Sequence, residues 1–299
     1  FLEMNTRLQV EHPVTEFITG QDLVEHMIKI AYDEKLMLAQ EDVKLSGWSL
    51  ETRVYAEDPF RNFLPSIGRL SNYVAPTETD TVRVDTGIEE GSEVSIFYDP
   101  MIAKLVTYGQ TRDEAIENMA GALDAYYIRG VNHNISFLNA LIMHPRFKEG
   151  RLTTNFIAEE YPDGFHAEDV PQSDPLIPVV VAASIHSKKQ ARAREISGQT
   201  RRFEIETNSA WVAIANDRQY PLTINAGDHG YDVNHEGSHY SVQLDWQIGQ
   251  PIVSAVVNGQ AVAVQIDASK AGYRTFHRGA ETQMQIISLQ AAALSRHMI

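Results

Sequence analysis

The feature that most limits what this chain can fold into is a series of turn dipeptides in its C-terminal part: Asn216-Asp217, Gly227-Asp228, Glu236-Gly237, Asn258-Gly259 and Arg278-Gly279. Each divides short runs rich in Val, Ile, Tyr and Thr, the pattern of antiparallel strands joined by tight hairpins. Roughly eight short strands are predicted from Arg201 to Leu289 on that pattern. Ahead of them Leu176 to Ser197 reads as a helix whose apolar stretch, LIPVVVAASI, precedes a basic one, HSKKQARAR, favourably placed at a helix C-terminus. Pro178 falls in the first turn, where the missing N–H costs nothing. One apolar helix followed by a run of strands predicts a β-barrel or curled sheet packed around that helix.

The preceding residues have a different character. Asp22 is positioned as an N-cap, with Leu23, Met27, Ile30 and Ala31 at helical spacing behind it. From Trp48 to Tyr108, short alternating runs are punctuated by Asp58-Pro59, Pro65, Gly68, Pro76 and Gly87, which predicts antiparallel strands. Thr111 and Glu114 form a capping box before a helix that Gly130 can stop, and ISFLNALIMH supplies another helix. Pro, Gly, Asp and Ser accumulate between Tyr161 and Pro175, so two domains are expected, 1–165 and 166–299, in an α+β chain.

Charge is unevenly divided: residues 1–165 carry 14 Lys/Arg against 27 Asp/Glu, and residues 166–299 carry 11 against 13. An acidic first part argues against nucleic-acid binding, which relies on neutralising phosphates. No apolar run approaches the roughly 20 residues of a membrane span. The absence of Cys excludes disulfides, thiolate catalysis and Cys-bound metal. The opening FLEMN has no features of a signal peptide, and the chain is expected to begin inside a domain.

The stretch EMNTRLQVEHP, Glu3 to Pro13, places a polar group at every second position. Read as an extended strand it aligns Glu3, Asn5, Arg7, Gln9 and Glu11 on one face. Glu3 and Asn5 offer hard oxygens suited to Mg²⁺, which commonly takes few protein ligands and completes its shell with water and phosphate. Arg7 offers a planar fork for an oxyanion, Gln9 a neutral donor, and Glu11 near Arg7 a base. The competing reading is an exposed strand face with ordinary Glu/Arg pairing.

EMNTRLQVEHPVTE resembles the signature of biotin carboxylases, ATP-grasp enzymes of the biotin-dependent carboxylases. The likeness continues through ETRVYAEDP, FLPSIGRL, TVRVDTG, YDPMIAKLVTYG and TNFIAEEYPDGF, covering residues 1–165. The remainder is similar to the middle region of propionyl-CoA carboxylase α subunits, where a helix inside a β-barrel (the BT domain) bridges to the carboxyltransferase. The resemblance implies that Glu3 ligates the metal of MgATP (or its Mn counterpart) and that Asn5 lies by the phosphates. It implies that Arg7, Gln9 and the backbone of Val10 hold bicarbonate. Glu11 is then the general base that deprotonates bicarbonate for attack on the γ-phosphate, giving ADP and carboxyphosphate, which collapses to CO₂ and phosphate. Phosphate takes the ureido proton of biotin, and Arg83 stabilises the enolate that captures CO₂.

The lid and lysines of the ATP site, and the Met-Lys-Met that carries biotin, are not in these residues. Biotin is therefore expected on a carrier domain elsewhere in the full-length chain, and this segment alone is expected to be inactive. The implied partners are a carboxyltransferase β subunit in a hetero-oligomer, with no nucleic acid and no membrane. The implied acceptor is propionyl-CoA, with 3-methylcrotonyl-CoA the alternative. A non-catalytic assembly module and a carbamoyl-phosphate-forming ligase are further alternatives. The compartment is cytoplasmic in a bacterium or the mitochondrial matrix in a eukaryote.

Several other residues have two readings. Lys104 could neutralise a phosphate or snorkel at a strand end, and Glu57-Asp58 could bind metal or make a turn. His12 could orient the base or simply pack. Lys188, Lys189, Arg192, Arg194, Arg201 and Arg202 are either a solvated helix end or a docking patch for an acidic partner. Trp211 and Trp246 read as core or rim aromatics.

Overall fold

The computed structural model describes residues 3–171, 175–195, 209–269 and 272–295. The chain divides into two compact units, Phe1–Val170 and Pro171–Ile299.

In the first unit the site-bearing core is a three-stranded antiparallel sheet of β1 (Trp48–Tyr55), β2 (Val82–Thr86) and β3 (Met101–Gly109), with β3 in the centre. Its two faces have opposite chemistry. Thr52, Val54, Ala103, Leu105 and Thr107 line one face and are buried. Helix α3 (Arg112–Asp124) covers that face, with Met119 and Leu123 in the same core and the Thr107 hydroxyl donating to the carbonyl of Ala115 at 2.9 Å. The start of α3 is fixed locally: Thr111 accepts from the Glu114 N–H, and Glu114 accepts from the Thr111 N–H. The opposite face carries Glu51, Arg53, Asp85, Arg83 and Lys104. Register sets Arg53 and Asp85 directly across from Lys104, and Glu51 and Arg83 across from Val106.

Helix α1 (His12–Thr19) lies against β1 and β3, and α2 (Leu23–Ala31) follows it with the Asp22 carboxylate capping the Glu25 N–H at 2.7 Å. Residues 3–11 do not form the extended strand expected from their alternation; they run as coil into a turn at Val10 and Glu11, and Glu11 is the N-cap residue of α1. A strand needs a partner for its backbone groups, whereas here the carbonyls of Leu8, Gln9 and Val10 are taken by the side chains of Arg7, His12 and Lys104. Pro13, in the first turn of α1, fixes a helical φ immediately after. Asp58 accepts from the Phe60 N–H and from Asn132, so the Asp-Pro pair serves a turn.

In the second unit eight strands form a closed antiparallel barrel. These are β4 (Ala210–Ala215), β5 (Arg218–Gly227), β6 (Gly230–His235), β7 (Ser238–Asp245), β8 (Ile252–Val257), β9 (Gln260–Ser269), β10 (Gly272–His277) and β11 (Ala280–Ser288). Each pairs with the next, and β4 closes on β11 with Ala213 opposite Ile286. The turns carry the geometry of the sequence signals: Asn216 and Asp217, Glu236 and Gly237, Asn258 and Gly259, and Arg278 and Gly279 all have positive φ. That is the mirror-image two-residue turn whose twist matches a hairpin.

Helix α4 (Leu176–Glu195) packs against all eight strands, and Val179 to Ala183 and Ile185 are fully buried among them. The expected helix end at Ser197, and Arg201 and Arg202 of the basic cluster, lie outside the described residues. Lys188 donates to the carbonyl of Trp246 at 2.7 Å, and Lys189 sits 4.7 Å from the Tyr273 ring centroid, so both cations are engaged by the barrel unit. Trp246 is buried with its indole N–H on the carbonyl of Gln250, and Trp211 meets the His186 ring edge-on.

Candidate functional site

The site is built where the turn before α1 crosses the charged face of the sheet. Three successive carbonyls are held there by three cationic or ring donors. Arg7 Nη1 donates to the carbonyl of Leu8 at 3.2 Å, His12 Nδ1 to that of Gln9 at 2.7 Å, and Lys104 Nζ to that of Val10 at 3.1 Å. A planar trans peptide aims its N–H opposite its C=O. Holding the Gln9 carbonyl on His12 therefore aims the Val10 N–H to the other side, away from His12.

Glu11 is half-exposed, and the cation paired with it is Arg53, Nη2 to Oε2 at 3.3 Å, rather than Arg7. Arg53 sits on β1 and Glu11 at the head of α1, so the pair ties the turn to the sheet. Arg83 is engaged on two sides: Nε and Nη2 donate to Asp85 at 2.7 and 3.1 Å, and Nη1 donates to Glu16 of α1 at 2.6 Å. These partners hold Arg83 further on its charged side; the bonds to Asp85 contribute most, burial opposes them, and Glu16 adds to them. Glu16 also caps α2 by accepting from the Leu23 N–H at 2.8 Å.

Lys104 completes the array, with Nζ 3.0 Å from Asp85. Burial works to raise the Asp85 carboxyl, and the bonds from Arg83 and Lys104 overcome it, leaving Asp85 below the usual carboxylate range.

Glu3, Asn5, Arg7, Val10 and Glu11 are exposed and Gln9 is half-buried, all on the same short turn-and-coil segment. The hard oxygens of Glu3 and Asn5 are open to solvent, a donor set that fits a Mg²⁺ ion completed by water and phosphate. Nothing in the local sequence marks Arg53, Asp85 or Glu16 as parts of this site, and Lys104 reads there only as a phosphate cation or a snorkelling residue. One signal was available: Lys104 is the single charge in the run MIAKLV, and a charge in a central strand needs partners.

Three family models match. They are the biotin carboxylase C-terminal domain over residues 51–159, the propionyl-coenzyme A carboxylase BT domain over 179–299, and the ATP-binding domain of the carbamoyl-phosphate synthase L chain over 1–39. The chain is similar to the propionyl-CoA carboxylase alpha chain of Ruegeria pomeroyi, 43% identical over all of this chain and 47% of that protein. It is also similar to the mitochondrial methylcrotonoyl-CoA carboxylase subunit alpha of Dictyostelium discoideum, 37% identical over 87% of this chain and 40% of that one. The biotin carboxylase domain of Hydrogenobacter thermophilus 2-oxoglutarate carboxylase, solved with MgADP and bicarbonate, superposes with a TM-score of 0.53. It is 40% identical over 58% of this chain and 37% of that chain. The chain thus spans less than half the length of the curated relatives it matches.

Proposed function

Because this chain belongs to the biotin-dependent carboxylases, carrying the C-terminal part of a biotin carboxylase and a BT domain, we propose that the full-length protein carboxylates biotin with ATP and bicarbonate. The observation that carries the reading is the turn before α1, where an exposed base, Glu11, stands beside an aimed N–H, Val10, with Arg7 and Gln9 on the same segment. Arg7, Gln9 and the Val10 N–H bind the bicarbonate oxyanion, and Glu11 removes its proton so that an oxygen becomes nucleophilic. Glu3 and Asn5 hold the divalent cation and the adjoining phosphates. Biotin, when bound, supplies the ureido nitrogen that accepts the carboxyl group. Arg83, fixed by Asp85 and Glu16, would be the preorganised cation that stabilises negative charge developing on the ureido oxygen.

The greater identity and coverage of the propionyl-CoA carboxylase relative favour propionyl-CoA over 3-methylcrotonyl-CoA as the final acceptor. The barrel unit is assigned to docking on a carboxyltransferase β subunit, with biotin delivered by the carrier domain of the same full-length chain. No helix among the described residues is long and apolar enough to cross a membrane. The reading places the protein in the cytoplasm of a bacterium or the matrix of a mitochondrion. The test is biotin-dependent ADP release by the full-length chain with and without bicarbonate. Glu11→Gln should lower it by about 100-fold or more and Arg7→Ala should raise the KM for bicarbonate. Near-normal turnover in Glu11→Gln would refute the assignment.

A further inference from the structure

Among the charged groups on this sheet face, Glu51 on β1 has no place in the chemistry above, yet its side chain is only 6% exposed. Neither carboxylate oxygen reaches hydrogen-bond geometry with a described residue. Its nearest cation is Arg53, with Nε 3.5 Å from Oε1. Arg53 also donates from Nη2 to Glu11 at 3.3 Å. One guanidinium therefore lies between a buried carboxylate and the exposed one that acts as the base.

A buried acid that only filled space would be replaced by an apolar residue at a gain in stability, since an uncompensated buried carboxylate is costly. Burial pushes the Glu51 carboxyl up, against the pull of Arg53 and Lys104, and Glu11 pushes it up further, so Glu51 and Glu11 sense each other's charge. The groups facing Glu51 are Arg53 from its own strand, Lys104 from β3 and Glu11 from the turn before α1, and Arg53 is also hydrogen-bonded to Tyr55, two residues further along β1. Beyond Val106 in the same cross-strand row stands Arg83, with Glu16 and Asp85 bound to it.

Resting on the biotin carboxylase reading, we propose that Glu51 is a positioning residue for the base: it holds Arg53 from its Nε and offsets its charge, so that Arg53 holds Glu11 in place while Glu11 stays basic. Without Glu51 the cation has one carboxylate to itself. Glu11 then binds Arg53 more tightly, gives up its charge less readily to a bicarbonate proton, and is drawn towards the sheet.

The test uses the full-length chain and follows biotin-dependent ADP release against pH in wild type, Glu11→Gln, Glu51→Gln and Glu51→Asp. Glu51→Gln is nearly isosteric and should shift the acidic limb of the profile down by about half a pH unit. Its plateau rate should fall several-fold, while the KM for ATP stays unchanged. Glu51→Asp keeps the charge and should return the limb towards its wild-type position even where the plateau stays low. An acidic limb that coincides with wild type in Glu51→Gln overturns the proposal, whether or not the rate falls. If Glu51→Gln fails to fold, Glu51→Asp decides, and a limb displaced as far as half a unit despite the retained charge overturns it. Loss of the parent reading looks different: wild type then releases no ADP in response to biotin, or Glu11→Gln works as well as wild type.

Discussion

At the scale of the residue, the groups named by the EMNTRLQVEHP segment matter less by their alternation than by what takes their backbone. Lys104 is the residue on which this can be tested, because its ammonium is the donor to the Val10 carbonyl and also a partner of Asp85. Lys104→Met should loosen the turn and raise the KM for bicarbonate about tenfold, the worth of one charge-assisted hydrogen bond. The KM for ATP should change by less than about twofold on the same argument, and steady-state kinetics on the full-length chain measures both. A second residue governs acid stability. Burial first, and the charge of Arg129 second, push the His133 imidazole down to about 4, and its Nδ1 is shut off from solvent. In the unfolded chain it titrates near 6.5, so between those values the unfolded state binds the extra proton. Stability from this group is present above about pH 6.5 and is lost as pH falls towards 4, by about 2 kcal/mol after allowing for partial exposure. The urea midpoint of wild type should fall more steeply over that window than that of His133→Leu.

At the scale of the element, local chemistry explains what was legible. The four positive-φ hairpins, the Thr111 capping box and the Asp22 cap each depend on residues within a few positions, and all stand as the sequence reads. Helix α1 was not legible, because the alternating pattern ahead of it has the period of a strand, and nothing nearby states that no strand will pair with it. Thr111→Ala removes one cap bond and should cost about 1 kcal/mol in chemical denaturation. Gly230 opens β6 at φ +146°, and a Cβ there would lie 2.3 Å from the Val242 carbonyl oxygen. Gly230→Ala should therefore cost about 2–4 kcal/mol by forcing β6 from β7, read as a lowered midpoint of the barrel's unfolding.

At the scale of the whole molecule, each unit has its own hydrophobic core, one around α3 and the three-stranded sheet, the other around α4 inside the barrel. Residues 171–299 expressed alone are expected to unfold cooperatively in urea with far-UV dichroism dominated by strand; a non-cooperative loss of signal would mean that the barrel depends on the rest of the chain. By itself the sequence determined the eight hairpin-linked strands, the apolar helix they wrap and the chemical groups of the EMNTRLQVEHP segment, because turns, caps and periodicity act over a few residues. Only the tertiary structure decided which groups meet. Arg53 reaches Glu11 across 42 residues, Arg83 reaches Glu16 across 67, and Lys104 reaches the Val10 carbonyl across 94. Those meetings follow from the register of β1, β2 and β3 and from the helix laid across them, and register between distant strands is set by the packing of both sheet faces, which no short stretch of sequence contains.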